Sequence, residues 1–209
     1  MNKVIFFFTS MVILLSCGPQ IYKASSLDQS KKKVKTIAII PFVSTIDIKK
    51  LPKGVTAESI RESEEKTGYN VQSNVYSEFL KRMSKDEYTV KFQDVDKTNA
   101  LLHKENIKYG DIALKDKAEL CQLLGVDAVI SGKILMSKPM SDGTAVAVAF
   151  IFGAWGTTNE TKVTLTIHDK SGELQWKYDH LASGSLGSNP ESLTKSLMKN
   201  ASRKFPYKK

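Results

Sequence analysis

Between Lys162 and Asp179 the chain alternates twice. Val163, Leu165 and Ile167 interleave with Lys162, Thr164 and Thr166, and Leu174, Trp176 and Tyr178 interleave with Gln175, Lys177 and Asp179. A period of two sends alternate side chains to opposite faces of a strand. The intervening His168-Asp169-Lys170-Ser171-Gly172 carries turn chemistry, so the two strands form an antiparallel hairpin. A lone hairpin is marginal in water. The remaining chain must therefore add strands or helices over the apolar face, which excludes an all-helical fold.

The preceding residues supply both. Ile37, Ile39 and Ile40 around Ala38 make an apolar run ended by Pro41, the pattern of a central strand covered on both faces. Residues 44–68 turn polar and read as either a helical lead-in or a mobile loop. From Tyr69 to Lys85, Val71, Val75, Phe79 and Met83 recur every four residues, with Leu80 beside them, and predict an amphipathic helix. Tyr88, Val90 and Phe92 predict a half-buried strand, and Asp94 to Asp96 can cap the helix that follows. A further helical stretch ends in Leu120, Cys121, Leu123 and Leu124; Gly125 stops it, and Val126–Met136 reads as another buried strand. Asn189 as N-cap and Pro190 at the first helical position open a last helix with Leu193, Leu197, Ala201 and Phe205 on one stripe. The expected fold is α/β: one three-layer domain over 35–209, with a mixed sheet, a β-α-β-α-β start, an antiparallel hairpin and a C-terminal helix.

The N-terminus is of another kind. Lys3 precedes an apolar run from Val4 to Leu15 that is too short for a membrane helix and is expected to be a signal peptide over 1–16. Leu14-Leu15-Ser16-Cys17 has the form of a bacterial lipobox, which makes Cys17 the expected lipidation site and first mature residue. Two or three acyl chains, at ~0.8 kcal/mol per buried methylene, anchor a protein durably. Residues 17–34 are Ser-, Gln- and Lys-rich without hydrophobic period and are expected to be the lipidated Cys and a tether. The run Lys31, Lys32, Lys33, Lys35 is either a solvated linker or lies against anionic headgroups.

The three segments Thr36-Ile37-Ala38-Ile39-Ile40-Pro41-Phe42, Leu123 to Ile134, and Ile167 to Trp176 occur in an order that resembles a group of envelope lipoproteins. The group comprises the curli-secretion channel subunit, the lipoprotein activators of penicillin-binding proteins and the amino-terminal domain of the periplasmic Tol-system protein. The resemblance spans roughly residues 35–205 and implies a fold and a habit of binding proteins or assembling into rings. Its landmarks are structural. Pro41 ends a strand for want of a donor, Gly125 makes a left-handed turn, and Asp127 is expected to cap backbone. A curli-type channel needs long amphipathic hairpins; only Thr144–Phe152 is a candidate, and both its faces are apolar.

Chemistry-bearing patterns are sparse. With two Cys and three His, neither a Cys-rich zinc module nor a disulfide scaffold is open to the chain. After Cys17 only Cys121 remains, and Ala118, Cys121 and Leu124 share helical spacing, so Cys121 is expected to be a small buried hydrophobe. Ser192 to Lys195 and Ser196 to Lys199 match S-x-x-K, and Lys66-Thr67-Gly68 matches K-T-G, but in the wrong order for a penicillin-binding site. His103, His168 and His180 are too far apart in sequence for a local metal pair, and His168 is expected in the solvated hairpin turn. A net charge of +9 favours acidic partners, but export and the lack of interleaved aromatic and basic residues argue against nucleic acid.

The expected function is that of a non-enzymatic, membrane-anchored binding or assembly module of the bacterial envelope. Its expected partners are membrane lipid through Cys17 and an envelope protein or a second copy, with no metal and no cofactor. A curli-type channel subunit and an envelope hydrolase are the rival readings. Gly18-Pro19-Gln20 lacks the Asp associated with inner-membrane retention, which favours the outer membrane, facing the periplasm. The segment from Gly143 to Gly156, with Phe150, Phe152 and Trp155 and lying in an uncharged stretch that runs to Asn159, is the expected interaction surface, together with the loop from Ser44 to Gly68.

Overall fold

Ile37 and Ile39 alternate with Ala38 and Ile40 along one strand, and each pair packs into a different core. The computed structural model describes residues 18–47, 54–137, 160–183 and 190–209. Its strands are β1 (Gln20–Lys23), β2 (Thr36–Ile39), β3 (Val43–Asp47), β4 (Lys91–Phe92), β5 (Ala128–Ser137), β6 (Glu160–Asp169) and β7 (Leu174–Ser183). The helices are α1 (Leu27–Lys33), α2 (Ala57–Met83), α3 (Val95–Lys104), α4 (Tyr109–Ile112), α5 (Lys117–Leu124) and α6 (Pro190–Lys204). The expected α/β architecture is present, with one open mixed sheet in the order β1-β7-β6-β5-β2-β4. β2 pairs parallel with β4 and β5, whereas β5-β6-β7-β1 is antiparallel throughout.

The larger core lies between the sheet and α1, α2 and α6. The α2 stripe of Val71, Val75 and Phe79 meets Leu197 and Ala201 of α6, and Phe205 just after it, over the inward residues of the hairpin, Val163, Leu165, Ile167, Trp176 and Tyr178. Phe79 and Phe205 stack edge to face at 4.8 Å, with Tyr88 4.9 Å and Trp176 6.4 Å from Phe205. The smaller core lies on the other face, where Leu102, Leu120, Cys121 and Leu124 of α3 and α5 cover Ala38, Ile40 and Val129. This second layer stops short. Among the described residues, no helix lies over Lys162, Thr164, Lys177 and Asp179 on the faces of β6 and β7 turned away from the larger core.

Two landmarks work as the sequence predicts. Gly125 caps α5 with φ +65°, and Asp127 Oδ2 accepts hydrogen bonds from the backbone N–H groups of Lys35 and Thr36 at 2.9 and 3.0 Å. That carboxylate fixes the start of β2 against the start of β5.

Three expectations require correction. Most of the supposed tether is folded: β1 pairs with β7 from Gln20 opposite Asp179 to Lys23 opposite Trp176, and α1 buries Leu27 and Ser30, with Ser30 Oγ 3.2 Å from the Tyr207 hydroxyl. Strand β1 is held by its backbone while all four side chains are exposed, so no hydrophobic period betrays it. The Ser44–Gly68 segment is not one loop. It contains β3, which pairs parallel with β5, and the first turns of α2, opened by a capping box between Thr56 and Ser59. Finally, His168 belongs to β6, opposite Val129, rather than to the turn, where Gly172 takes φ +82°.

Candidate functional site

The site begins with the break at Pro41. β2 pairs with Ala128–Ile130, with Ile40 N–H still donating to the Ile130 carbonyl at 3.0 Å, and β3 pairs with Lys133–Ser137, so Pro41 and Phe42 pass Ser131 and Gly132 off the ladder. Proline has no amide hydrogen for the ladder. Phe42 N–H turns instead to the Gly68 carbonyl at 3.3 Å, and its ring enters the larger core. Both flanking glycines are required by closeness: a Cβ on Gly132 would stand 2.2 Å from the Phe42 ring, and one on Gly68 would stand 2.2 Å from the Phe42 carbonyl oxygen.

On the opposite face this break, together with the early end of the helix layer, leaves a cleft of about 240 Å³. Ile40, Pro41, Val43, Ile112 and Ala113 form its apolar side, and Ser131, Thr164, Thr166, Lys117, Lys133 and His168 form its polar side. Ser131 Oγ and Thr166 Oγ1 bond each other at 2.8 Å, and Thr164 donates to Asp179 Oδ1 at 2.5 Å. Burial works to raise the Asp179 carboxyl, but Lys177 at 2.8 Å and the Thr164 hydroxyl outweigh it and hold the group below its ordinary value. Burial lowers Lys117, and the Lys133 charge lowers it further; burial and then Lys117 also lower His168. Lys117 Nζ donates to the Lys115 carbonyl at 2.9 Å, and His168 Nδ1 is buried without a hydrogen-bond partner. No hydrogen bond joins His168 to the Ser131–Thr166 pair. The cleft is thus a mildly cationic, hydroxyl-lined recess suited to holding a group rather than to activating a nucleophile.

A second, acidic groove of about 850 Å³ runs between α2 and α3–α4, lined by Glu58, Glu62, Glu64, Glu65 and Asp111 among others. Its centre is Tyr109, whose hydroxyl donates to the Phe42 carbonyl at 2.7 Å and accepts from Ser44 N–H at 2.9 Å. Burial pushes this phenol up to about 12, so it remains a donor at neutral pH. Glu64 Oε1 accepts from Ile46 N–H at 2.9 Å. These two side chains occupy amides on the outer edge of β3, which would otherwise offer a template for another strand.

The patterns singled out in sequence are dispersed. Lys66-Thr67-Gly68 lies inside α2, with Thr67 Oγ1 bonded to the Ser63 carbonyl, while both S-x-x-K matches lie on α6. Cys121 is buried, and burial pushes its thiol up to about 12, as suits a packing residue. Cys17, Phe150, Phe152 and Trp155 lie outside the described residues. No helix among the described residues is long and apolar enough to cross a membrane. The cleft itself was not predicted, because Lys117, Ser131, Thr166 and His168 meet only through the pairing of β5 with β6 and the packing of α5.

No family model matches the chain, and no curated protein matches it. Solved structures similar to it include a PelC dodecamer from Paraburkholderia phytofirmans, at 12% identity over 88% of this chain and 93% of that one, with a TM-score of 0.44. Lipoprotein GNA1162 from Neisseria meningitidis is similar at 10% identity over 81% and 96%, with a TM-score of 0.45. The LpoB C-terminal domain from Salmonella enterica is similar at 8% identity over 76% and 96%, with a TM-score of 0.36.

Proposed function

We propose that this chain is a lipid-anchored, non-enzymatic binding and assembly module of the bacterial cell envelope, acylated on Cys17 and working through protein contacts. The observation that carries the reading is the half-covered sheet. Three helices close one face, whereas on the other face no helix among the described residues lies over Thr164, Lys177 and Asp179 of β6 and β7. A sheet face of this extent beside a hydroxyl-lined cleft suits a partner surface.

The stretch with Phe150, Phe152 and Trp155 is a further part of the contact surface in this reading. Its flanks, Ser137 and Glu160, are a cross-strand pair at the end of the sheet. Support comes from the end of the chain, where Phe205, just after α6, is already packed against Phe79, Tyr88 and Trp176 and Leu197 of α6 is buried in the same core, so neither needs further aromatic cover. Replacing Phe150 and Trp155 together with Ala should then abolish self-association or partner capture while leaving stability nearly unchanged. A loss of about 3–5 kcal/mol per residue would make them core instead.

The test of function is extraction of the acylated protein from its native envelope in mild detergent, followed by sizing and identification of what travels with it. A defined partner, or a small closed assembly, is expected. A ring many times the 23.2 kDa chain would favour the channel reading. A monomer that retains no partner would contradict the proposal.

A further inference from the structure

Only Gly18 and Pro19, three backbone steps in all, separate Cys17 from Gln20, the first residue of β1. They cannot carry Cys17 more than about 10 Å from Gln20, since an extended chain spans at most ~3.3–3.6 Å per residue. The headgroup layer on each side of a bilayer is itself roughly 5–8 Å thick, half the difference between its full and hydrocarbon thicknesses. If the acyl chains of Cys17 sit in the hydrocarbon, β1 therefore begins at the membrane surface, with no slack for the domain to stand away.

The register says which part of the domain is held there. Gln20 lies opposite Asp179, two residues short of Leu181. Leu181 is paired with Lys162, and Lys162 with Leu135, so these three side chains form one row across β7, β6 and β5 on the face away from the larger core. Leu135 and Leu181 are among the few large apolar residues exposed, and Lys162 between them is exposed as well. Lys133, also exposed, is two residues from Leu135 on the same face of β5. The lysine run at residues 31–35 lies beyond β1 and is carried to the other end: Lys35 N–H is fixed to Asp127, at the start of β5.

We infer that the Leu135–Lys162–Leu181 row rests on the lipid headgroups of the membrane that holds Cys17, its leucines within the headgroup layer and Lys162 and Lys133 on anionic phosphates. This rests on the anchoring of Cys17 proposed above. The occupant is lipid because the tether is too short to place a partner between this end of the sheet and the bilayer. The exposed lysines complement an anionic surface, whose attraction falls off within a Debye length. Lys170, in the hairpin turn at the opposite end, is eight residues along β6 from Lys162, or roughly 26 Å at ~3.3 Å per residue. At that distance it is beyond the screening length of ~8 Å and serves as an internal control.

The experiment couples the chain beginning at Cys17, through that thiol, to maleimide-bearing lipid in vesicles of phosphatidylethanolamine and phosphatidylglycerol at a roughly 3:1 ratio. Removing residues 1–16 removes no described element, and Cys121, 1% exposed, does not compete for the maleimide. Lysine acylation is then read residue by residue by mass spectrometry. Lys162 and Lys133 should label several-fold less on vesicles than in the uncoupled chain, with Lys170 and Lys91 unchanged. Leu135→Gln with Leu181→Gln should restore Lys162 labelling. Equal labelling of Lys162 and Lys170 on vesicles would overturn the inference, as would protection that appears only at high protein density, the mark of a second copy. Because coupling is chemical, absence of acyl chains on native Cys17 would remove the anchoring proposal without changing this result.

Discussion

Replacing Gly132 with Ala should destabilise the protein, although glycine within a strand is ordinarily about 0.5–1 kcal/mol worse than Ala. The new methyl would lie 2.2 and 2.6 Å from two carbons of the Phe42 ring and 2.6 Å from the Thr164 carbonyl oxygen. Carbon atoms rest at about 3.5–4.0 Å, so the ring would have to move by more than ~1 Å. It has little room: Phe42 is fully buried and its N–H is tied to the Gly68 carbonyl. Overpacking of this kind costs about 1–3 kcal/mol, and a clash with both a ring and a backbone oxygen belongs at the upper end. With the ordinary gain subtracted, the net loss is about 2 kcal/mol, or roughly 4–8 °C in Tm for a chain of this size. Urea unfolding followed by tryptophan fluorescence measures it. Phe42→Leu in the Gly132→Ala background should recover part of the loss relative to the sum of the single changes, a coupling of ~1 kcal/mol. A Gly132→Ala protein as stable as its parent, or a strictly additive pair, would refute the wedge at Phe42.

Asp127→Ala removes the acceptor of two backbone amides and should cost about 2 kcal/mol in urea unfolding, toward the low end for charged acceptors because the site is partly exposed; a change below ~0.5 kcal/mol would contradict the staple. His168 and His180 are both lowered from their ordinary 6.5, His168 by burial and by Lys117, His180 by burial. The unfolded chain therefore takes up these protons first, so stability is fully present above pH 6.5 and falls as pH drops below it. The His168→Gln, His180→Gln double variant should flatten that slope in pH-dependent urea titrations, and an unchanged slope would contradict the directions given. Cys121, with its thiol pushed up to about 12, should react with an aromatic disulfide reagent at pH 8 only after unfolding; rapid labelling of the native protein would contradict its burial.

Side-chain periodicity made some elements legible and hid others for physical reasons. β2 and the β6–β7 hairpin were readable because their apolar residues do the packing, and Gly125 because a left-handed cap selects glycine. β3 was not, since Ser44 and Ile46 are its buried residues and a Ser-Thr-Ile-Asp run looks polar. The early turns of α2 were left open between a helical lead-in and a loop for a related reason: they face the core through Thr67 and Gly68, where Phe42 and Tyr109 come too close for a larger side chain. β1 contributes only backbone to the sheet, which no pattern of residue types records. The cleft was invisible because its polar side chains come from β5, β6 and α5 and are neighbours only through pairing register and helix packing.

The envelope reading depends on what becomes of Cys17. Intact-mass and peptide mass spectrometry of the protein taken from its native membrane should find a mature chain that begins at Cys17, with a diacylglyceryl group on its sulfur. A chain that still begins at Met1, or one with an unmodified mature terminus, would contradict it.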